Sequence, residues 1–574
     1  MSGRRGVWWF IVLLTLVGTG VLFVAFAMRQ PAPSTTSDSV IVYDVPDEIE
    51  EAVPPNRSLP YGLLHRDRPT LFATVRAIDH AAHDSHVLGL VLHIDALDWG
   101  WAKVAELRDA LGRFRAEGKP VYACIQSGGD REYFLASVAD QIVMPPTSVL
   151  RLDGLTLSVM FLRGTLDKLD IHPNFVHAGQ YKSAIEQYTR TDMSPPAREA
   201  LDAVLDDTFS MLIDTLATAR GIEPDSVRRL IDGGPYGAAE ALQLGLLDGL
   251  GYIDDADSTA VRAAGSRAST MPLSRYLEHE PPDLGPHIAY VAGSGTIVPG
   301  KSRYMAGDGM VLGSETMIAA LREARERRSI RAIVLRVDSP GGSVEASDDI
   351  WREVDHCRKV KPVIVSMSDL AASGGYYLAA PATAIVAQPA TLTGSIGVFG
   401  GKLNILGLYR KLGINVETVS RGLHAEMLSP FKDFTAEEAE RYQVQLDDTY
   451  RTFLARVSAG RRVTPAYADS VGQGRVWSGR AAFERSLVDT LGGLDVAFRL
   501  ALRKAGLSAK DGYVVDVLPH IESTFFDRVL EGWFADDDDD SARLLSPVMR
   551  AWIVAARFPA GDVFALMPWS IDIR

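Results

Sequence analysis

The sequence predicts an α/β protein built from two tandem copies of one βα unit, with a membrane-spanning helix in front. Three observations predict it. Separate segments recur at a nearly constant offset, which marks an internal duplication. Within each copy, short β-branched runs alternate with amphipathic stretches, the pattern of a mostly parallel sheet. A charge-free apolar run lies near the start of the chain.

That run, Val7 to Met28, holds 22 uncharged, mostly apolar residues and matches one spanning helix. Arg4 and Arg5 precede it and the acidic stretch Asp44 to Ala52 lies beyond it. This bias puts the N-terminus in the cytoplasm and the body outside. A cleaved signal peptide, with Ala25 to Ala27 as a weak cleavage site, is the competing reading and also exports the body. Residues 1–30 are therefore assigned to the cytoplasmic N-terminus and anchor, and 31–58 to a linker.

The duplication rests on three anchors. "YFLASVADQIVMPPTSVLRLDG" from Tyr133 aligns without a gap to "YYLAAPATAIVAQPATLTGSIG" from Tyr376, 243 residues later, with eight identities. "GLVLHID", ending at Asp95, matches "AIVLRVD", ending at Asp338, at the same offset. "LLDGLGYID" around Asp248 matches "LVDTLGGLD" around Asp489, 241 residues on. The first unit spans 59–282 and the second 285–518, joined by the acidic, Pro-rich "EHEPPDLGP". In the second, "AIVLRVD", "PVIVSMS" and "TAIVAQ" read as strands and "ASDDIWREVDHCRKV" as a helix. The extension 519–574 carries an acidic run, Asp536 to Asp540, then the partly amphipathic "RLLSPVMRAWIVAARF". It reads as a solvated loop and a packing helix, or else as a further membrane or partner contact.

The formal charge of −14 lacks the basic stripe that nucleic-acid binding needs. Two cysteines, Cys124 and Cys357, make neither a disulfide framework nor a Cys-based metal site.

The chemistry centres on "SMSDLAASGGYYLAAPA", Ser366 to Ala382, where Ser373 precedes two glycines. A serine nucleophile needs a base, and no nearby pattern supplies one. The duplication does. At the Ser373–Gly374–Gly375 positions the first unit has Asp130, Arg131 and Glu132. Conversely, "VHAGQYKSAIEQYTRTDMSP" carries Lys182 where the second unit has Ala425. One unit keeps the serine and the other keeps the lysine. Lys182 would then reach Ser373 across the junction of the units. A lysine acts as a base only when neutral, which burial among apolar groups favours. The bland alternative is a surface lysine and a turn serine, and the complementary losses weigh against it.

"VDSPGGSVEAS" exposes the backbone of Gly341 and Gly342 after a strand, where the first unit has bulky Trp99 and Trp101. Bare N–H groups there, with that of Gly374, suit a developing oxyanion; taken alone, a Pro-Gly-Gly is a tight turn. Ser395 in "TLTGSIG", with Leu152 as its counterpart, would hold the lysine amine, or be an ordinary turn serine. His172 and His177 lie near Lys182 without a triad pattern and read as surface or core residues.

"DSPGGS", "AASGGYY", "TLTGSIGVFG" and "GQYKSAIEQYTRTDMSPPAREA" resemble the motifs of the signal peptide peptidase A (protease IV) family, in its long, internally duplicated bacterial form. The resemblance covers both units and the anchor. It implies a Clp/crotonase-type fold and a serine endopeptidase with a Ser/Lys dyad. Its motifs assign Ser373 as nucleophile, Lys182 as base and Ser395 as support for the lysine. It further implies a single-pass, bowl-shaped homotetramer in the bacterial inner membrane. The catalytic body would face the periplasm and degrade cleaved signal peptides, without metal or nucleotide cofactor. The extension after Pro519 has no match there. The rival readings are an acyl-CoA-binding crotonase-like enzyme, which needs neither export nor a Ser/Lys pair, and a catalytically silent peptide-binding scaffold.

Overall fold

The structure is a computed structural model that describes residues 38–52, 69–278, 283–305, 309–508, 512–519, 563–567 and 573. The anchor Val7–Met28 and the extension's helical stretch fall outside these residues. Among the described residues no helix is long and apolar enough to cross a membrane.

Two parallel sheets organise the fold. The first runs Ser269–Pro272, Ser39–Asp44, Val87–Ile94, Val121–Ile125, Gln141–Met144 and Gly249–Leu250. The second repeats this order with Val514–Leu518, His287–Ser294, Ile330–Ser339, Val363–Ala372, Ala384–Ala387 and Thr490–Leu491. Strand answers strand, so the duplication is structural as well as sequential. Strands buried on both faces read as continuous apolar runs rather than alternating ones, as in "LGLVLHI" and "AIVLRV".

Ser39–Asp44, placed in the linker on sequence grounds, is a strand inside the first sheet. It takes the place that His287–Ser294 takes in the second. Its short apolar run sits between a Ser/Thr-rich and an acidic stretch, and double burial leaves no alternation to mark it.

The duplication extends to local stop and start signals. Pro195–Arg220 and Ala436–Arg461 are matching helices of 26 residues. Ser194 Oγ accepts from the N–H of Ala197, and Thr435 Oγ1 from that of Glu438. Each cap satisfies an otherwise orphaned donor. Both helices end on a left-handed residue, Gly221 or Arg462.

A third, mixed sheet joins the units. In order it holds Arg303–Met305, Gly309–Gly313, Thr296–Val298, Gly341–Ser343, Val563–Leu566, Val398–Asn404 and His172–Ala178. His172–Ala178 of the first unit pairs antiparallel with Val398–Asn404 of the second over seven residues.

The units are also locked by a buried ionic cluster. Arg336, fully buried in a second-unit strand, donates to Glu51 at 2.7 and 3.0 Å and lies 2.8 Å from Glu106 on the first-unit helix Trp101–Ala116. Ser366 Oγ, Ser368 Oγ and the Met367 carbonyl accept further N–H bonds from it at 2.8, 3.1 and 3.3 Å. On the same helix Lys103 pairs with Asp338 at 2.8 Å, and Asp369 accepts from the N–H groups of Gly100 and Lys103. Buried charges of this kind are strong only when every partner is present. Glu51→Ala therefore leaves Arg336 undercompensated and is expected to cost about 3–5 kcal/mol of stability, read as an earlier denaturant midpoint. A loss below about 1 kcal/mol, the scale of a surface pair, would contradict this role.

Candidate active site

Ser373 ends the buried strand Val363–Ala372, where the chain turns into the short helix Gly374–Ala379. Its backbone has φ 55° and ψ −111°, a sparsely populated conformation for a residue with a side chain. Two hydrogen bonds hold it there. Its N–H donates to Gly394 at 2.8 Å, and its carbonyl accepts from the N–H of Tyr377 at 2.8 Å. The two glycines are packing requirements. A Cβ on Gly374 would fall 2.6 Å from Ser347 Oγ, and one on Gly375 2.8 Å from the Ser339 carbonyl.

Lys182 arrives from the other unit, after the strand His172–Ala178 and a turn at Gly179 (φ 107°). The turn is clasped by the second-unit loop Gln473–Arg475. Tyr181 N–H donates to the Gln473 carbonyl at 2.7 Å, and a Cβ on Gly474 would sit 2.5 Å from Lys182 N. The same loop grips the Ser395 turn. Gly474 N–H donates to Ile396, and Ser395 N–H to Arg475, both at 2.7 Å. The Arg475 guanidinium stacks between Tyr181 and Trp477 and pairs with Glu199 at 2.5 Å.

These elements bring Lys182 Nζ to 2.8 Å from Ser373 Oγ and to 3.0 Å from both Oγ and the carbonyl of Ser395. Ser373, Lys182 and Ser395 are all buried, at 0, 1 and 0% exposure. Burial drives the Lys182 pKa well below the ordinary lysine value, and among the described residues no charged neighbour opposes it. The contacts fit a neutral amine. A neutral amine placed here would donate its two N–H bonds to the Ser395 oxygens and accept from the Ser373 hydroxyl.

Gly341 and Gly342 form the adjacent strand Gly341–Ser343. Gly341 is left-handed (φ 102°), and a Cβ there would fall 2.7 Å from Gly374 N and 3.0 Å from the Ala372 carbonyl. Its N–H, assigned to the oxyanion on sequence grounds, instead donates to Ser339 Oγ at 3.1 Å. Gly341 thus supplies close approach, which leaves Gly342 and Gly374 as the remaining assigned donors.

In the first-unit counterpart, side chains stand where the second unit has the serine and bare backbone. Asp130, at the serine position, accepts from the N–H groups of Asp153 and Gly154 at 3.2 Å, and burial raises its pKa to about 6. Glu132 accepts from Leu97 N–H at 2.8 Å and Gly129 N–H at 2.6 Å. His172 and His177 are exposed; His172 faces Asp433, and His177 Nδ1 contacts the Gly179 carbonyl. Cys124 and Cys357 are buried free thiols, and no metal-ligating cluster occurs among the described residues.

The Gln473–Arg475 clasp was not anticipated. It acts through backbone groups, and its one signal was the match of Gly474 to Gly233 in the repeat.

The model of "Peptidase family S49" matches residues 113–266 and 356–508, once in each unit. "Protease 4" of Salmonella typhi is 33% identical over 87% of this chain and 83% of its own length. "Serine protease SPPA, chloroplastic" of Arabidopsis thaliana is 35% identical over 79% of this chain and 70% of its own.

Gly474→Ala should displace Lys182 while leaving the cores intact. A shift of about 1 Å is expected to lower peptidase kcat roughly 100-fold, with circular dichroism unchanged. Unaltered kcat would show that the clasp does not position the lysine.

Proposed function

The chain belongs to peptidase family S49 and is a serine protease; we propose that it is a membrane-anchored endopeptidase that degrades cleaved signal peptides and similar apolar peptides with a Ser373/Lys182 dyad. The observation that carries this reading is the 2.8 Å approach to Ser373 Oγ of a buried Lys182 amine with no ion-pair partner among the described residues.

Ser373 Oγ attacks the scissile carbonyl carbon, and Lys182 Nζ takes the hydroxyl proton in the same step. The carbonyl oxygen gathers negative charge, which the backbone N–H groups of Gly374 and Gly342 receive. The Lys182 ammonium then returns the proton to the leaving amine as the C–N bond breaks. An ester on Ser373 remains. Water, giving its proton to the neutral Lys182, attacks the ester, and the proton passes back to Ser373 Oγ as the acid product departs. Ser395 holds the amine on line throughout. The site needs no metal or nucleotide for these steps.

The apolar preference rests on the cluster Ala184, Ile185 and Phe399, with Phe175 packed against it, beside the lysine. The anchor reading rests on Val7–Met28 and its flanking charges. With it we propose single-pass insertion in a bacterial inner membrane, a body on the periplasmic side with a Clp/crotonase-type fold, and assembly as a homotetramer.

Ser373→Ala and Lys182→Ala are each expected to remove most cleavage of a fluorogenic apolar peptide without unfolding the chain. The double variant should be little worse than either, because the two residues act as one unit. The active form is the neutral amine. Wild-type kcat/KM therefore rises with pH through the Lys182 pKa, well below the ordinary lysine value, and falls as acid protonates it. Full activity in Lys182→Ala would sink the dyad.

A further inference from the structure

We propose that the chain carries its own competitor for the peptide cleft: Val563–Met567 lies across Ser373 as a pseudosubstrate strand, and Ile573 is anchored in the degenerate cleft of the first unit. The proposal rests on the Ser373/Lys182 reading for the identity of the cleft.

The strand fills a slot between two others. It runs antiparallel to Gly341–Ser343 on one side, with Ala565 opposite Gly342, and to Val398–Asn404 on the other, with Phe564 opposite Phe399. Addition of an extended segment to open strand edges is a general mode of peptide recognition. Any peptide entering this slot meets the same backbone groups.

Its register brings a backbone carbonyl beside the residue that follows Ser373. A Cβ on Gly341 would fall 2.0 Å from the Ala565 carbonyl oxygen, and one on Gly374 3.1 Å from it. A peptide carbonyl of the tail therefore lies against the residues that flank the nucleophile. Phe564 stacks on Phe399 with centroids 5.8 Å apart, and Phe564 and Leu566 pack on the apolar cluster of Ala184 and Ile185. Met567 N–H donates to the Pro340 carbonyl at 2.6 Å. With the strand in place, Ser373 and Lys182 have essentially no exposed surface. An external peptide must displace it.

The anchor lies in the first unit. The Ile573 carbonyl accepts from Trp101 Nε1 at 3.0 Å and Arg131 Nη2 at 2.7 Å, and Ile573 bridges to Leu157. Arg131 occupies the position that Gly374 holds in the second unit. The substitution that removes the bare backbone from the first cleft is thus the one that grips the tail. One copy of the duplicated cleft faces the peptide, and the other tethers the segment that competes with it.

The test uses the full chain with Ser373→Ala, so that peptide is bound and not cut, and a fluorescein-labelled VFALM peptide read by anisotropy. A cleft that is mostly self-occupied weakens apparent affinity by the fraction left open. Phe564→Asp, which disrupts the strand, and Arg131→Ala, which cuts the tether, should each tighten binding by roughly tenfold or more. In the chain with Ser373 restored, both should lower KM for a fluorogenic peptide with kcat retained. Arg131→Ala lies in the other unit, so it stays informative if Phe564→Asp fails to fold. Unchanged affinity in both, or lost affinity in a folded chain, would overturn the proposal and make the strand a fixed part of the sheet. Tighter binding without cleavage in the Ser373 chain would uphold the competitor and remove the dyad instead.

Discussion

An ammonium cannot be buried without a counter-charge at tolerable cost, so it gives up its proton instead. Lys182 sits in that condition. It is sealed from water, no carboxylate forms an ion pair with it among the described residues, and its hydrogen-bond partners are two serines. On the proposed mechanism the neutral amine is the base, and the site's other features keep it buried and in line. The strained Ser373 turn presents the hydroxyl to Lys182 Nζ. The Ser395 turn offers its two oxygens to the same nitrogen. The glycines let the surrounding backbones close in.

Because the lysine and the serine come from different units, the site is as good as the fit between them. That fit is spread over three kinds of contact. The paired strands His172–Ala178 and Val398–Asn404 set direction and register. The Gln473–Arg475 loop fastens the lysine turn to the Ser395 turn. The cluster around Arg336 ties Glu51 and Glu106 to the second sheet. Such charges discriminate sharply between a correct and a shifted docking, since a misplaced partner leaves a charge bare.

Much of this was legible from residue type. The two sheets were visible because buried parallel strands are apolar runs, and because the two copies could be read against each other. Ser373 and Lys182 emerged from the same comparison, each being what the other unit had lost. What escaped was carried by backbone. The clasp at 473–475 works through carbonyl and N–H groups that any sequence has. The engagement of Gly341 N–H by Ser339 Oγ depends on a local bend that Pro-Gly-Gly does not specify. The strands Ser39–Asp44 and Val563–Leu566 are short and far in sequence from the strands they join, so neither the repeat nor alternation marks them. The anchor helix stays a reading of the sequence.

The duplication explains both halves of the account. A single unit would need all its parts in one cleft. Two fused units free each cleft to drop what the other supplies, and the first carries Arg131 and Glu132 where the second has two bare glycines. The central claim, a neutral Lys182, is open to direct measurement. Lysines labelled with nitrogen-15 at Nζ would be followed by NMR across a pH titration of the full chain and of Lys182→Met. The account predicts one nitrogen that moves to the free-amine shift at a lower pH than the other lysines, absent from the variant. A Lys182 signal that stays an ammonium to the same pH as the exposed lysines would contradict it.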